Sequence, residues 1–174
     1  MKKEILSWIG CFVVAIAAAL FIVTFIGQRV QVEGDSMEST LQNGDNLICD
    51  KISYRFGDPE RFDIVIIRPD ADKRDRWIKR IIGLPGEEVS IDLEGNIYIN
   101  GEIMEEPYGR EVIKNPGLAI EPIQLGEDEY WVMGDNRNHS SDSRVIGPVP
   151  RKQILGKAFI RIFPFSKFGF IRHQ

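Results

Sequence analysis

From Ile5 to Ile26 the chain runs for 22 residues without a charged side chain. As an α-helix this run would extend about 33 Å, enough for a hydrocarbon core of roughly 30 Å. Ala15-Ile16-Ala17 imitates a signal-peptide cleavage site, but the h-region of such a peptide is only about 7–15 residues long. Here the strongly apolar Leu20-Phe21-Ile22-Val23 follows the alanines. The expectation is a retained transmembrane helix over 5–26. Lys2 and Lys3 precede it and only Arg29 closely follows, so the positive-inside rule puts residues 1–4 in the cytoplasm. The remainder is then an extracytoplasmic domain held to the cell membrane by a single pass.

Composition narrows what that domain can do. With 22 basic and 26 acidic side chains the net charge is −4, which advertises no surface for nucleic acid. Cys11 lies inside the apolar run and Cys49 outside it, and the histidines are His139 and His173. A disulfide framework is excluded, and no clustered ligand set points to a metal. No cofactor is expected either. An imidazole base has two possible positions.

Beyond the apolar run the pattern is that of strands. Val30-Gln31-Val32, Asn46-Leu47-Ile48, Asp63–Ile67, Trp77–Ile82 and Tyr130–Met133 are short β-branched or aromatic runs bounded by Gly, Pro, Asn or Asp. Val89, Ile91 and Leu93 alternate, as do Ile97 and Ile99, with Gly95-Asn96 and Asn100-Gly101 as hairpin turns. This predicts a mainly β fold: a sheet domain from 27–85 and 126–174, with 86–125 as a small β insert. The tail from Phe159 to Phe170 is rich in phenylalanine but too short to span a membrane. It reads as a core strand or as a surface that meets lipid.

Three segments carry groups capable of chemistry. Gly34-Asp35-Ser36-Met37 follows the first strand and would bring a hydroxyl to a strand end near the bilayer; alone it is an ordinary turn. On the strand Trp77–Ile82, Lys79 shares a face with Trp77 and Ile81. Such a lysine either snorkels to water along its apolar neighbours or is desolvated, which lowers its pKa until the neutral amine can accept a proton. The third segment, Gly134-Asp135-Asn136-Arg137-Asn138-His139-Ser140-Ser141-Asp142-Ser143-Arg144, reads as a solvated loop or as a brace pinned against the sheet. A calcium loop fits poorly, since Arg137 and Asn138 break the alternating ligands.

Taken together and in order, these segments resemble the bacterial type I signal peptidases. The likeness spans the chain: anchor, serine box, the Gly44-Asp45 and Arg61-Phe62-Asp63-Ile64-Val65 strands, lysine box, and Gly-Asp-Asn-Arg loop. It implies a partly open antiparallel sheet or barrel and a serine endopeptidase without cofactor or metal, probing secretory pre-proteins at the lipid bilayer, as a monomer. It implies Ser36 as nucleophile and Lys79 as general base. Ser140 is implied to orient the amine, with Asp135–Arg80 and Asp142–Arg144 bracing the site. Val30, Val32, Met37, Leu41, Trp77 and Ile78 are implied to line pockets for small residues at the −1 and −3 substrate positions. Two departures stand out: Ser39 replaces the usual proline, and Gly34 takes a place where some relatives carry a hydroxyl that helps hold the oxyanion. Here that task would fall to backbone N–H groups such as that of Ser36.

Two other classes fit parts of this pattern. A Ser–His–Asp hydrolase would use His139 with Asp135 or Asp142. An anchored β-sheet binding module would leave Lys79 as a surface charge. Self-cleaving repressors of the Ser/Lys kind lack such an anchor, and no DNA-binding helix pair is visible.

Overall fold

The computed structural model describes residues 2–21, 27–69 and 75–171. Its N-terminal helix, α1, is Lys2–Phe21. Among the described residues no helix is long and apolar enough to cross a membrane, which departs from the expected span over 5–26. Residues 22–26 of the expected span lie outside the described residues.

The body is two antiparallel sheets. The strands of the larger are β1 (Gly27–Gln31), β2 (Asn46–Asp50), β3 (Ile64–Ile67) and β4 (Trp77–Gly83), then β9 (Glu129–Met133), β10 (Val149–Pro150), β11 (Ile154–Phe163) and β12 (Gly169–Phe170). They are ordered β1-β2-β11-β3-β4-β9-β10, with β12 beside β11. β11 therefore returns from the far end of the chain to lie between β2 and β3, fastening the two halves of the sheet together. β3 is buried along its whole length. Its Ile64 and Ile66 pack with Val32, Met37, Leu41, Leu47 and Ile78, while Val65 and Ile67 pack with Ile81, Tyr130, Val132 and Ile154. The alternation of a strand thus feeds two apolar layers.

The smaller sheet, ordered β7-β6-β5-β8, uses β5 (Glu88–Ile91), β6 (Ile97–Ile99), β7 (Glu102–Ile103) and β8 (Ile123–Gln124). Asn100 and Gly101, between β6 and β7, both have positive φ, 53° and 79°, as a tight hairpin requires. A third apolar layer, with Val89, Ile91 and Ile97 against Trp131 and Met133, seals this sheet to the larger one.

One irregularity in pairing matters for the site. β4 pairs with β3 from Trp77 to Arg80, but its register with β9 begins only at Arg80. Trp77, Ile78 and Lys79 are thus left with one edge that no described strand covers. β1 ends the strand order, so its outer edge is also uncovered.

Candidate active site

The loop after β1 carries Ser36 and is held from three directions. Inside it, Glu38 N–H donates to Asp35 O at 3.0 Å and Leu41 N–H to Met37 O at 2.8 Å. Met37 and Leu41 are buried in the core below, so the apolar members of the loop act as its roots. From outside, the loop after β9 reaches over: Asn136 N–H donates to Ser36 O at 3.0 Å, and Asn136 Nδ2 to Asp35 O at 3.2 Å. Thr40 Oγ1 donates to Asp135 Oδ2 at 2.6 Å.

Lys79 Nζ lies 2.8 Å from Ser36 Oγ, although 43 positions separate the two residues. The lysine is 4% exposed, and its ammonium would sit 5.7 Å from the centroid of the Trp77 ring. Burial, the largest influence, pushes its pKa down from 10.5 to about 8. Asp142 and Asp135 pull upward and Arg144 downward, so the flanking charges largely oppose one another and desolvation prevails. A shift of that size corresponds to about 3 kcal/mol against the charged form. The Ser36 N–H makes no hydrogen bond among the described residues and is free to meet an oxyanion.

Two buried ion pairs flank Ser36 and Lys79. Arg80 donates to Asp135 through Nε at 2.9 Å and Nη2 at 2.7 Å, and Nη1 donates to Phe62 O at 3.0 Å. The guanidinium carbon also lies 3.6 Å from the Tyr108 ring centroid. Arg144 donates to Asp142 through Nε at 2.9 Å and Nη2 at 2.8 Å, and Asp142 also accepts the Gly134 N–H at 3.0 Å. Burial alone would raise the Asp142 pKa, but the bonds and charge of Arg144 outweigh it and the carboxyl stays below its ordinary range. Both pairs are bidentate, which fixes orientation as well as charge.

Other residues named from the sequence fall into place less uniformly. Ser140 Oγ is buried without a well-formed hydrogen bond; it lies close enough to Asp142 to favour that carboxylate, and no hydrogen bond joins it to Lys79. Val32, Met37, Trp77 and Ile78 line a groove of about 260 Å³ that also contains Ser36 and Lys79. Val30 and Leu41 do not line it; they sit in the apolar layer with Met37 and Ile78. His139 is exposed, and no hydrogen bond joins it to Ser36 among the described residues.

Sequence reasoning assigned no role to several residues that build the site. A Cβ on Gly134 would stand 2.3 Å from Ser140 Oγ and 2.5 Å from Ser36 O. Only glycine lets the two loops approach so closely. Thr40 and Asn136 are the bolts between those loops, and Arg110 pairs with Glu38 at 2.7 Å on the rim. Gly134 at the end of an apolar strand was the available signal for close backbone approach; the partners of Thr40 and Asn136 left none, because they lie about a hundred residues away.

A family model described as signal peptidase, peptidase S26, matches residues 5–163. The chain belongs to that family. A probable signal peptidase I-2 of Synechocystis sp. is 44% identical over 91% of this chain and 73% of its own length. A signal peptidase IB of Staphylococcus aureus (strain COL) is 33% identical over 97% and 94%. A solved signal peptidase I from Enterococcus faecalis V583 is 32% identical, covering 57% of this chain and 95% of that one, with a TM-score of 0.45. The chain is accordingly a serine endopeptidase of the signal peptidase I kind.

Proposed function

We propose that this peptidase removes signal peptides from secretory pre-proteins with Ser36 as nucleophile and Lys79 as general base. The observation that carries the reading is the 2.8 Å contact between a buried amine and a hydroxyl on a well-braced loop. At neutral pH a minor but sufficient fraction of Lys79 is uncharged, whereas an ordinary lysine would be almost wholly protonated. As Ser36 Oγ attacks the scissile carbonyl, its proton passes to Lys79 Nζ. The Ser36 N–H then stabilises the oxyanion. The protonated amine gives its proton to the departing amine, and Lys79 next takes a proton from the water that hydrolyses the acyl-enzyme.

The ion pairs Asp135–Arg80 and Asp142–Arg144 serve this chemistry by being neutral in sum. They supply rigidity without a strong field that would recharge the lysine. Substrate enters as an extended strand between the uncovered edges near Val32 and Trp77–Lys79, where its main-chain groups find partners. Small residues at −1 and −3, as in Ala-x-Ala, suit a groove whose walls are Val32, Met37, Trp77 and Ile78. The uncharged run over 5–26 anchors the chain in the cell membrane, with residues 1–4 cytoplasmic and the catalytic domain outside. This keeps the groove near cleavage sites that emerge beside the bilayer.

The test is cleavage of a labelled pre-protein carrying an Ala-x-Ala site by the full chain in detergent. Ser36→Ala and Lys79→Ala are each expected to lower kcat/KM by at least about 1000-fold, and His139→Ala by less than about twofold. A chain that keeps its activity without Lys79 and loses it without His139 would replace this reading with a histidine-based one.

A further inference from the structure

A cavity of about 510 Å³ lies not at Ser36 but behind its loop, between Thr40 and the hairpin of β11 and β12. In a chain with more acidic than basic residues, this cavity is lined by Arg80, Arg161 and Lys167 and by no carboxylate. Two of these cations are already engaged on their far sides. Arg80 holds Asp135; Arg161 faces Asp45 at 3.3 Å and donates to Thr40 O at 2.7 Å. Lys167 is different. Its ammonium donates to the neutral amide of Gln42 at 2.6 Å, and no carboxylate of the described residues lies within ion-pair distance of it. Among the described residues, Lys167 is thus an exposed cation of this cavity with no carboxylate partner.

The rim of the same cavity is apolar and wet. Phe168 and Phe170 are 62% and 59% exposed, and the neighbouring Phe165 is 81% exposed. Phe159 stacks edgewise on Phe170 with centroids 5.1 Å apart, and Phe163 on Phe165 at 5.7 Å. Rings that pack on one another while facing solvent form a preformed apolar surface. A cationic hollow edged by such rings matches an amphipathic anion, with charge seated inside and hydrocarbon lying along the rim.

We infer that this cavity is a binding site for the phosphate headgroup of an anionic phospholipid, with Lys167 as its charge partner and Phe168 and Phe170 against the acyl chains. A free phosphate would satisfy Lys167 and make no use of the rings; a lipid satisfies both. Aromatic side chains favour the membrane interface, and basic groups there are attracted to anionic lipid. The inference draws on the proposed membrane placement only for the source of its ligand. Because the cavity wall includes Thr40, four residues beyond Ser36 and bonded to Asp135, a seated headgroup would rest against the back of the nucleophile loop.

The test is lipid binding rather than cleavage. The full chain in zwitterionic detergent is titrated with dihexanoyl phosphatidylglycerol, and bound lipid is counted by native mass spectrometry. One phosphatidylglycerol is expected to bind more tightly than dihexanoyl phosphatidylcholine. Lys167→Gln should weaken it about fivefold, Lys167→Arg should restore it, and Phe168→Ser should weaken it about threefold. Equal affinity in wild type and Lys167→Gln would overturn the site. So would equal binding of phosphatidylcholine, and displacement of the lipid by equimolar inorganic phosphate would show a soluble-anion site instead. Ser36→Ala should bind lipid as wild type does. Failure of the cleavage assay with lipid binding intact would therefore strike the Ser/Lys reading alone.

Discussion

The surroundings of Lys79 and the hairpin of β11 and β12 invert the usual rule in opposite directions. Around Lys79, charged groups are inside: Lys79, Arg80, Asp135, Asp142 and Arg144 are all buried. Along the hairpin, large rings are outside, with five phenylalanines from Phe159 to Phe170 between 45% and 81% exposed. Buried charge and exposed aromatic surface are the two informative departures from ordinary folding. The first costs stability unless every partner is supplied, and here the arginines and aspartates are paired bidentately. The lysine has no such partner, only a hydroxyl. The second costs solubility unless something covers it. The function proposed for Lys79 gives the first a chemical reason, and the inferred lipid site gives the second an interfacial one.

Lys79→Met should separate the regions most sharply. Activity is expected to fall by at least about 1000-fold, while the folded state below pH 8 should gain up to about 3 kcal/mol. The sign follows from proton uptake. Below pH 8 both folded and unfolded chains hold the Lys79 proton, and the folded state bears the full cost of burying it. Between about 8 and 10.5 the unfolded chain binds more protons, so wild-type stability rises with pH and the advantage of methionine fades. Urea unfolding at pH 7 and pH 10 measures this. Next in size, Gly134→Ala pushes Ser140 and the Ser36 carbonyl apart; kcat should drop about 100-fold with KM changed far less, by steady-state kinetics. Phe165→Ser on the hairpin should leave unfolding free energy within about 0.5 kcal/mol. A large loss would mean the ring belongs to the core. Smallest of all, Arg110→Ala breaks the exposed pair with Glu38 and should cost under about 1 kcal/mol; a tenfold loss of activity would make the rim pair part of the machinery.

Much of this was legible in the chain, but unevenly. Trp77–Ile82 and Asp63–Ile67 read as strands because β-branched residues and flanking turn residues agree, and the structure has β4 and β3 there. Asn100-Gly101 gave its turn away by chemistry that only a positive φ explains. Lys79 read ambiguously, since alternation gives a face and not what covers it. The cover comes from a loop some sixty residues later. Val30 and Leu41 share an apolar layer with Val32, Met37 and Ile78, but only the latter three line the groove; a residue type says apolar and not which apolar place. Gly134, Thr40 and Asn136 were silent for a related reason: their roles exist only across contacts of high sequence separation. The exposure of the phenylalanine tail was equally beyond reach, as a buried strand and a lipid-facing one share a composition.

The central claim is that Lys79 is kept dry enough to lose its proton near neutrality. The direct measurement is a pH titration of the Lys79 side chain by NMR, following 13Cε in selectively labelled full-length Ser36→Ala protein in micelles. A midpoint near 8, well below the ordinary lysine value, is the result expected. A midpoint near 10.5 would contradict it, and with it the role of Lys79 as the base.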